Sequence, residues 1–226
     1  MAAAVNSFEL QDVSRSFGKS GREVHALNRV SLSVRKGEFL ALSGPSGSGK
    51  TTLLNLLGLL DVPDTGLLCF ENCDVARLSE RQRTLIRRQR LAFVFQTINL
   101  IPVLTAYENV EYFLIKHGSA NGNVRQRVLE ALESVGIFKQ AHQRVTDLSG
   151  GERQRTAVAR ALARNVDVIL ADEPTASLDQ SAAGQMLEIL RRVNLERKTT
   201  IVFTSHDPHM LARADRVVCL TDGRIR

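Results

Sequence analysis

The chain has 226 residues, enough for one domain with a sizeable core, or one domain carrying an inserted lobe. With 43% hydrophobic and 24% charged residues it has the balance of an ordinary globular protein, which excludes disorder by composition. The net charge of +6 is scattered, as on solvated arginine faces, and no nucleic-acid partner is expected from it. The longest nearly apolar run, Leu53–Leu60, is interrupted by Asn55 and falls short of the roughly 18 residues that a membrane span needs. Met1–Val5 carries neither a basic segment nor a long apolar one, so no secretory leader is expected. Three cysteines, an odd count, argue against a disulfide framework and fit a reducing compartment. Cys69 and Cys73 read as free thiols, because no nearby Cys/His pair completes a metal site.

Along the chain, Phe8–Val13 and Val30–Val34 alternate apolar and polar residues, the period of half-buried strands. Phe39-Leu40-Ala41-Leu42 is a short apolar run leading straight into glycines and reads as a buried strand. Then comes Gly44-Pro45-Ser46-Gly47-Ser48-Gly49-Lys50-Thr51-Thr52, which fits the P-loop pattern in full, with a helix predicted over Lys50–Leu60. Glycines let such a loop curl until several N–H groups point at phosphate oxygens, and the positive end of the following helix adds to the attraction. Lys50 supplies a charge for the β- and γ-phosphates, and Thr51 a hydroxyl for Mg²⁺. Leu67–Phe70 and Leu91–Phe95 are further strands.

Between about residues 97 and 163 the texture turns helical. Tyr107–His117 and Val124–Val135 carry helical spacing; in the second, Val124, Val128, Ala131, Leu132 and Val135 form one stripe and Gly136 can stop the helix. Ser149-Gly150-Gly151 precedes a helical run, Glu152–Arg164. Taken alone, Ser149 and Glu152 make a capping box, and the paired glycines expose N–H groups to an anion. Strands return at Val168–Ala171, Ile201–Thr204 and Val217–Leu220, and a helix with Met186, Ile189, Leu190 and Val193 on one face lies between the first two. This alternation implies a parallel sheet covered by helices. Asp172 ends an apolar strand, where it can hold Mg²⁺ directly or through water. Glu173 beside it can orient and deprotonate an attacking water.

With these elements in order, the chain from about Phe8 to Arg226 resembles the nucleotide-binding subunit of an ATP-binding-cassette (ABC) transporter. Leu148-Ser149-Gly150-Gly151-Glu152 resembles the family's signature motif and Phe95-Gln96 its Q-loop. Ala176-Ser177-Leu178-Asp179 resembles its D-loop, and Thr204-Ser205-His206-Asp207 its switch-histidine segment. Phe17 stands where the family sets an aromatic ring against adenine. The resemblance implies a RecA-like P-loop NTPase fold: an α/β parallel-sheet core with an antiparallel β part and an inserted helical subdomain. It implies one domain over residues 1–226, with the catalytic core at 1–96 and 164–226 and the helical subdomain at about 97–163.

The resemblance also implies roles. Gly44 through Thr52 would bind the phosphates of ATP; Thr51, Gln96 and Asp172 would arrange Mg²⁺ and its waters; Glu173 would be the general base, with Gln96 and His206 assisting. Ser149, Gly150, Gly151 and Glu152 would meet the γ-phosphate of an ATP held by the P-loop of a second copy, and Asp179 would couple the two sites. The partners implied are that second copy and integral membrane permease subunits, with the chain peripheral on the cytoplasmic face of the inner membrane. Phe93–Gln96, Asn99–Pro102, Thr105–Val110 and Leu53–Asp61 are similar to the branch holding the lipoprotein-releasing and macrolide-export ATPases. The alternative is a soluble ABC ATPase of the iron-sulfur cluster assembly type. Arg81, Arg83, Arg87, Arg88 and Arg90 form a basic cluster, readable either as a solvated helix face or as a patch for anionic lipid.

Overall fold

The computed structural model describes residues 6–18, 24–117, 123–176 and 178–226; the reading of Met1–Val5 and that of Ser177 lie outside them. In chain order the strands are β1 (Asn6–Phe17), β2 (Val24–Arg35), β3 (Phe39–Ser43), β4 (Thr65–Phe70), β5 (Cys73–Asp74), β6 (Leu91–Val94), β7 (Val168–Ala171), β8 (Thr200–Thr204), β9 (Arg216–Thr221) and β10 (Arg224–Ile225). The helices are α1 (Lys50–Leu57), α2 (Glu80–Arg90), α3 (Ala106–Lys116), α4 (Val124–Ser134), α5 (Gly150–Leu162), α6 (Gln180–Arg197) and α7 (Pro208–Leu211).

Two sheets form. One is antiparallel, in the order β2-β1-β4-β5; the other runs β10-β9-β3-β8-β7-β6, parallel from β9 to β6 with β10 added antiparallel at the edge. Strands β3, β6, β7 and β8 of the second sheet are mostly apolar because both faces are covered, and the two-residue period still sorts them. Phe39, Ala41, Ala92, Val94, Ile169, Ala171, Ile201 and Phe203 face the core that holds the buried sides of α3 to α6. Leu40, Leu42, Leu91, Val168, Leu170, Val202, Val218 and Leu220 face the other core, filled by α1 and the antiparallel sheet. Leu53, Leu54, Leu56 and Leu57 of α1 are all buried there. Each such side chain contributes about 1.5–3 kcal/mol relative to exposure, so the helix that carries the P-loop is held from two sides.

The predicted helix over Lys50–Leu60 ends three residues early, at Leu57. A Cβ on Gly58 would lie 2.2 Å from the Phe93 ring, so β6 packs directly on the backbone there. Leu59 then turns into the left-handed region at φ 54°. The arginine cluster forms α2, whose Ser79–Gln82 capping box starts it. Three of its five arginines are spent within the chain. Arg83 and Arg87 pair with Glu80 at 2.8 and 2.6 Å, Arg87 also donates to the Leu59 carbonyl, and Arg90 reaches Glu71 at 2.8 Å and Asp167. Among the described residues only Arg81 and Arg88 of the five make no ion pair. In the helical block, α4 stops where Gly136 adopts φ 75°, as its sequence led one to expect.

Candidate functional site

The turns that leave β3, β6, β7 and β8 all emerge on one edge of the parallel sheet, the C-terminal edge where open α/β sheets bind ligands. They enclose a cavity of about 470 Å³ lined by Gly44–Gly47, Gly49–Thr52, Gln96, Asp172, Glu173 and His206, with Val24, Ala26 and Ala176 closing its side. Thus most of the motif residues read along the sequence meet in one place. Val24 and Ala26 carry no motif and were missed; they reach the cavity only because β2 folds back over the P-loop.

Among the α-helices of the described residues, only α1 has no side-chain cap. Its N-cap is Gly49, at φ 103°, and its first turn holds no acid. The first-turn amides and the positive helix end are therefore left for an outside anion. Glycine is obligatory at two places in this loop. A Cβ on Gly44 would lie 2.1 Å from the Leu220 carbonyl oxygen, and one on Gly49 2.3 Å from that of Ala26. The Lys50 ammonium arches back and donates to the carbonyls of Gly44 and Pro45 at 2.8 and 2.9 Å, which sets it over the loop.

Opposite the loop runs a chain of hydrogen bonds. The Thr51 hydroxyl donates to Asp172 Oδ2 at 2.9 Å, and the Thr204 hydroxyl donates to Asp172 Oδ1 at 2.7 Å. Thr204 Oγ1 in turn accepts the backbone N–H of Glu173 at 2.8 Å. Glu173 sits at φ 47°, a left-handed conformation costing on the order of 1–3 kcal/mol for a non-glycine residue, and the Thr204 bond helps hold it there. Its carboxylate Oε1 lies 3.1 Å from His206 Nδ1; the Glu173 side chain is 14% exposed and that of His206 77%. The sequence assigns Thr204 no role. Its function is visible only once β8 lies beside β7.

Gln96 lies exposed at the end of β6, and the loop after it is anchored from behind. Buried Asn109 accepts from the Ile101 amide at 2.8 Å and donates to the carbonyls of Ile101 and Thr105. Arg160 donates to the Asn99 carbonyl, and its burial lowers its pKa to about 10. Phe17 does not line the cavity itself. It ends β1 directly opposite Val24, which does, and it is 45% exposed.

Ser149, Gly150, Gly151, Glu152 and Asp179 are absent from the cavity lining. Ser149 Oγ accepts the Glu152 N–H at 3.2 Å and Glu152 Oε2 accepts the Ser149 N–H at 2.8 Å. That second bond holds the Glu152 carboxyl below its ordinary pKa and engages it in the cap. Asp179 caps α6 through the Ala182 amide at 2.9 Å. A residue the sequence reading passed over, Gln154, is buried and donates to the Pro174 carbonyl at 2.9 Å, tying α5 to the segment that follows Glu173.

Residues 27–176 match the ABC transporter family. The chain belongs to that family. It is 43% identical to the lipoprotein-releasing system ATP-binding protein LolD 1 of Rhodopseudomonas palustris, over 90% of each chain. It is 42% identical to the macrolide export ATP-binding/permease protein MacB of Hyphomonas neptunium, over 96% of this chain and 34% of that protein. A dimeric, post-hydrolysis structure of the ATP-binding cassette MJ0796 of Methanocaldococcus jannaschii, bound to ADP and Pi, superposes with a TM-score of 0.91. That match is 38% identical and spans 97% of this chain and 96% of the other.

The fold of this ABC ATPase is therefore the RecA-like P-loop NTPase fold, with a parallel core sheet, antiparallel elements and a helical subdomain. Among its described residues no helix is long and apolar enough to cross a membrane. No group of three or more His, Cys, Asp or Glu residues is disposed to hold a metal among them either. The donors beside the P-loop are instead a hydroxyl, a carboxylate and an amide, from Thr51, Asp172 and Gln96. Such a sparse, hard oxygen set fits Mg²⁺, which keeps water and takes substrate phosphates rather than sitting in a closed protein cage.

Proposed function

We propose that this ABC ATPase hydrolyses ATP between two head-to-tail copies of itself and that their closure drives a separate membrane permease. The observation that carries the reading is the division of the motifs. The P-loop, Asp172, Glu173 and His206 share one cavity, while Ser149, Gly150 and Gly151 lie outside it. A second copy would bring its α5 N-terminus to the γ-phosphate, where the amides of the first turn have no i−4 carbonyl to bond.

In this reading Lys50 and the backbone N–H groups that Gly44–Thr52 offer, Pro45 excepted, bind the phosphates, and Phe17 offers its ring to the base. Thr51, Gln96 and Asp172 would hold Mg²⁺, which would supply charge neutralisation on the transferring phosphoryl group. Glu173 orients a water toward the γ-phosphorus and takes its proton; His206 steadies that carboxylate and meets the γ-phosphate. Asp179 and Leu178, which packs against Gly151, pass the state of one site to the other. Residues 1–226 act as one domain, with the core at 1–96 and 164–226 and the helical subdomain at 97–163 between the site and the permease.

LolD 1 belongs to a lipoprotein-releasing system and MacB to macrolide export, which supports export or lipoprotein release as the kind of work; force transmission and a place on the cytoplasmic face of the membrane are part of the same proposal. MacB is itself an ATP-binding/permease protein of which this chain matches about a third, so a permease is the natural partner. Affinity purification of the chain from detergent-solubilised membranes tests this. Recovery of an integral membrane protein in fixed stoichiometry is expected; recovery of soluble scaffold proteins alone would favour a cluster-assembly ATPase instead.

A further inference from the structure

We infer that Arg15 is a positioning residue for the nucleotide base, acting through Phe17. The inference rests on the proposed reading that Phe17 meets the adenine.

Residues directly opposite in an antiparallel ladder project to the same face, so Phe17 shares the face of Val24, at the lip of the cavity. A phenyl ring at an exposed strand end has little to fix its orientation. Here the Arg15 guanidinium lies 4.9 Å from the ring centroid and covers one side of it, while the ring keeps 45% of its surface open. The guanidinium is itself immobilised. Its Nε donates to Asp61 Oδ2 at 2.8 Å and its Nη1 bonds Asp64 Oδ1. Asp64 also grips the strand backbone, accepting the Ser16 N–H at 2.7 Å and donating its own N–H to the Ser14 carbonyl at 2.9 Å.

Asp61 and Asp64 lie just beyond the end of α1, and α1 begins at the P-loop. The base platform and the phosphate cradle are thus fastened to opposite ends of one buried helix. Two carboxylates compensate the Arg15 charge, so what it adds is a rigid plane under the ring. Pre-ordering a binding surface in this way raises affinity by removing the cost of ordering it on binding.

The test compares dissociation constants for MgATP and for magnesium tripolyphosphate, which has phosphates but no base, by titration calorimetry on the full chain. Stacking on a single ring is worth on the order of 10-fold in affinity, so Phe17→Ala is expected to weaken ATP by about that factor and leave tripolyphosphate unchanged. Arg15→Gln is expected to weaken ATP about 3- to 10-fold, again without affecting tripolyphosphate. Arg15→Lys, which keeps a charge for Asp61 and Asp64 but no plane, should show the same selective loss. In a Phe17→Ala background Arg15→Gln should add nothing. Equal weakening of both ligands, or a loss that persists without Phe17, would reduce Arg15 to a structural brace and overturn the inference. Unchanged ATP affinity in both Arg15 variants, with Phe17→Ala still weak, would overturn it while sparing the base platform. An unaffected Phe17→Ala would remove the platform itself, and the inference with it.

Discussion

Glu173→Gln is expected to bind ATP as the parent does and to hydrolyse it about 10²–10⁴-fold more slowly, the usual worth of a general base. The substitution removes proton-accepting capacity and little else. The amide keeps the size of the side chain and can still meet His206 Nδ1, which lies 3.1 Å from the carboxylate in the parent. The backbone bond from residue 173 to Thr204, at 2.8 Å, is untouched, so Asp172 and the left-handed turn stay in place. With binding intact and hydrolysis blocked, the proposed ATP-closed dimer should accumulate. Sedimentation with MgATP would report it, and single-turnover hydrolysis would report the rate. Near-parental turnover would remove Glu173 from the role of base.

Ser149→Arg should separate the two halves of the site from the other side. The parent Ser149 caps α5, and losing that cap costs on the order of 1 kcal/mol, too little to unfold the chain. The residue does not line the P-loop cavity, so each copy should still bind ATP with parental affinity. A long cationic side chain at the α5 N-terminus would, however, stand in the proposed interface and displace the amides of Gly150 and Gly151 from the partner's γ-phosphate. Removing oxyanion-type donors typically lowers turnover by about 10²–10³-fold, and a loss of that size is expected here together with loss of the ATP-dependent dimer. Calorimetry, sedimentation and steady-state ATPase assays measure the three quantities. An unchanged dimer would contradict the role of the signature residues across the interface.

What could be read in the sequence and what could not divides by range. The P-loop, the Asp172-Glu173 pair and the Ser149–Glu152 capping box are contiguous, and each requires particular residue types at fixed spacing, so they stand out in one dimension. The apolar runs Phe39–Leu42 and Val168–Ala171 mark strands, while which of their residues face which core shows only in the fold. Contacts made across the fold left no local trace. Thr204 bridges Asp172 and the Glu173 amide because β8 lies between β3 and β7, a strand order no motif encodes. Helix α1 stops at Leu57 and the chain turns left-handed at Leu59, next to Gly58, where the Phe93 ring of β6, distant in sequence, occupies the place of a side chain. Among the α2 arginines, the local partner Glu80 pairs Arg83 and Arg87, but Glu71 and Asp167, which neutralise Arg90, are distant in sequence.

The central claim is that one catalytic site needs two copies of the chain. The most direct measurement is ATPase turnover per chain as a function of protein concentration, at saturating MgATP, from well below to well above the concentration at which dimers form. Turnover per chain should rise in proportion to concentration at the dilute end and reach a plateau once dimers dominate. Turnover per chain that stays constant down to concentrations where sedimentation finds only monomers would contradict the account, because the P-loop, Glu173 and His206 of a single copy would then suffice.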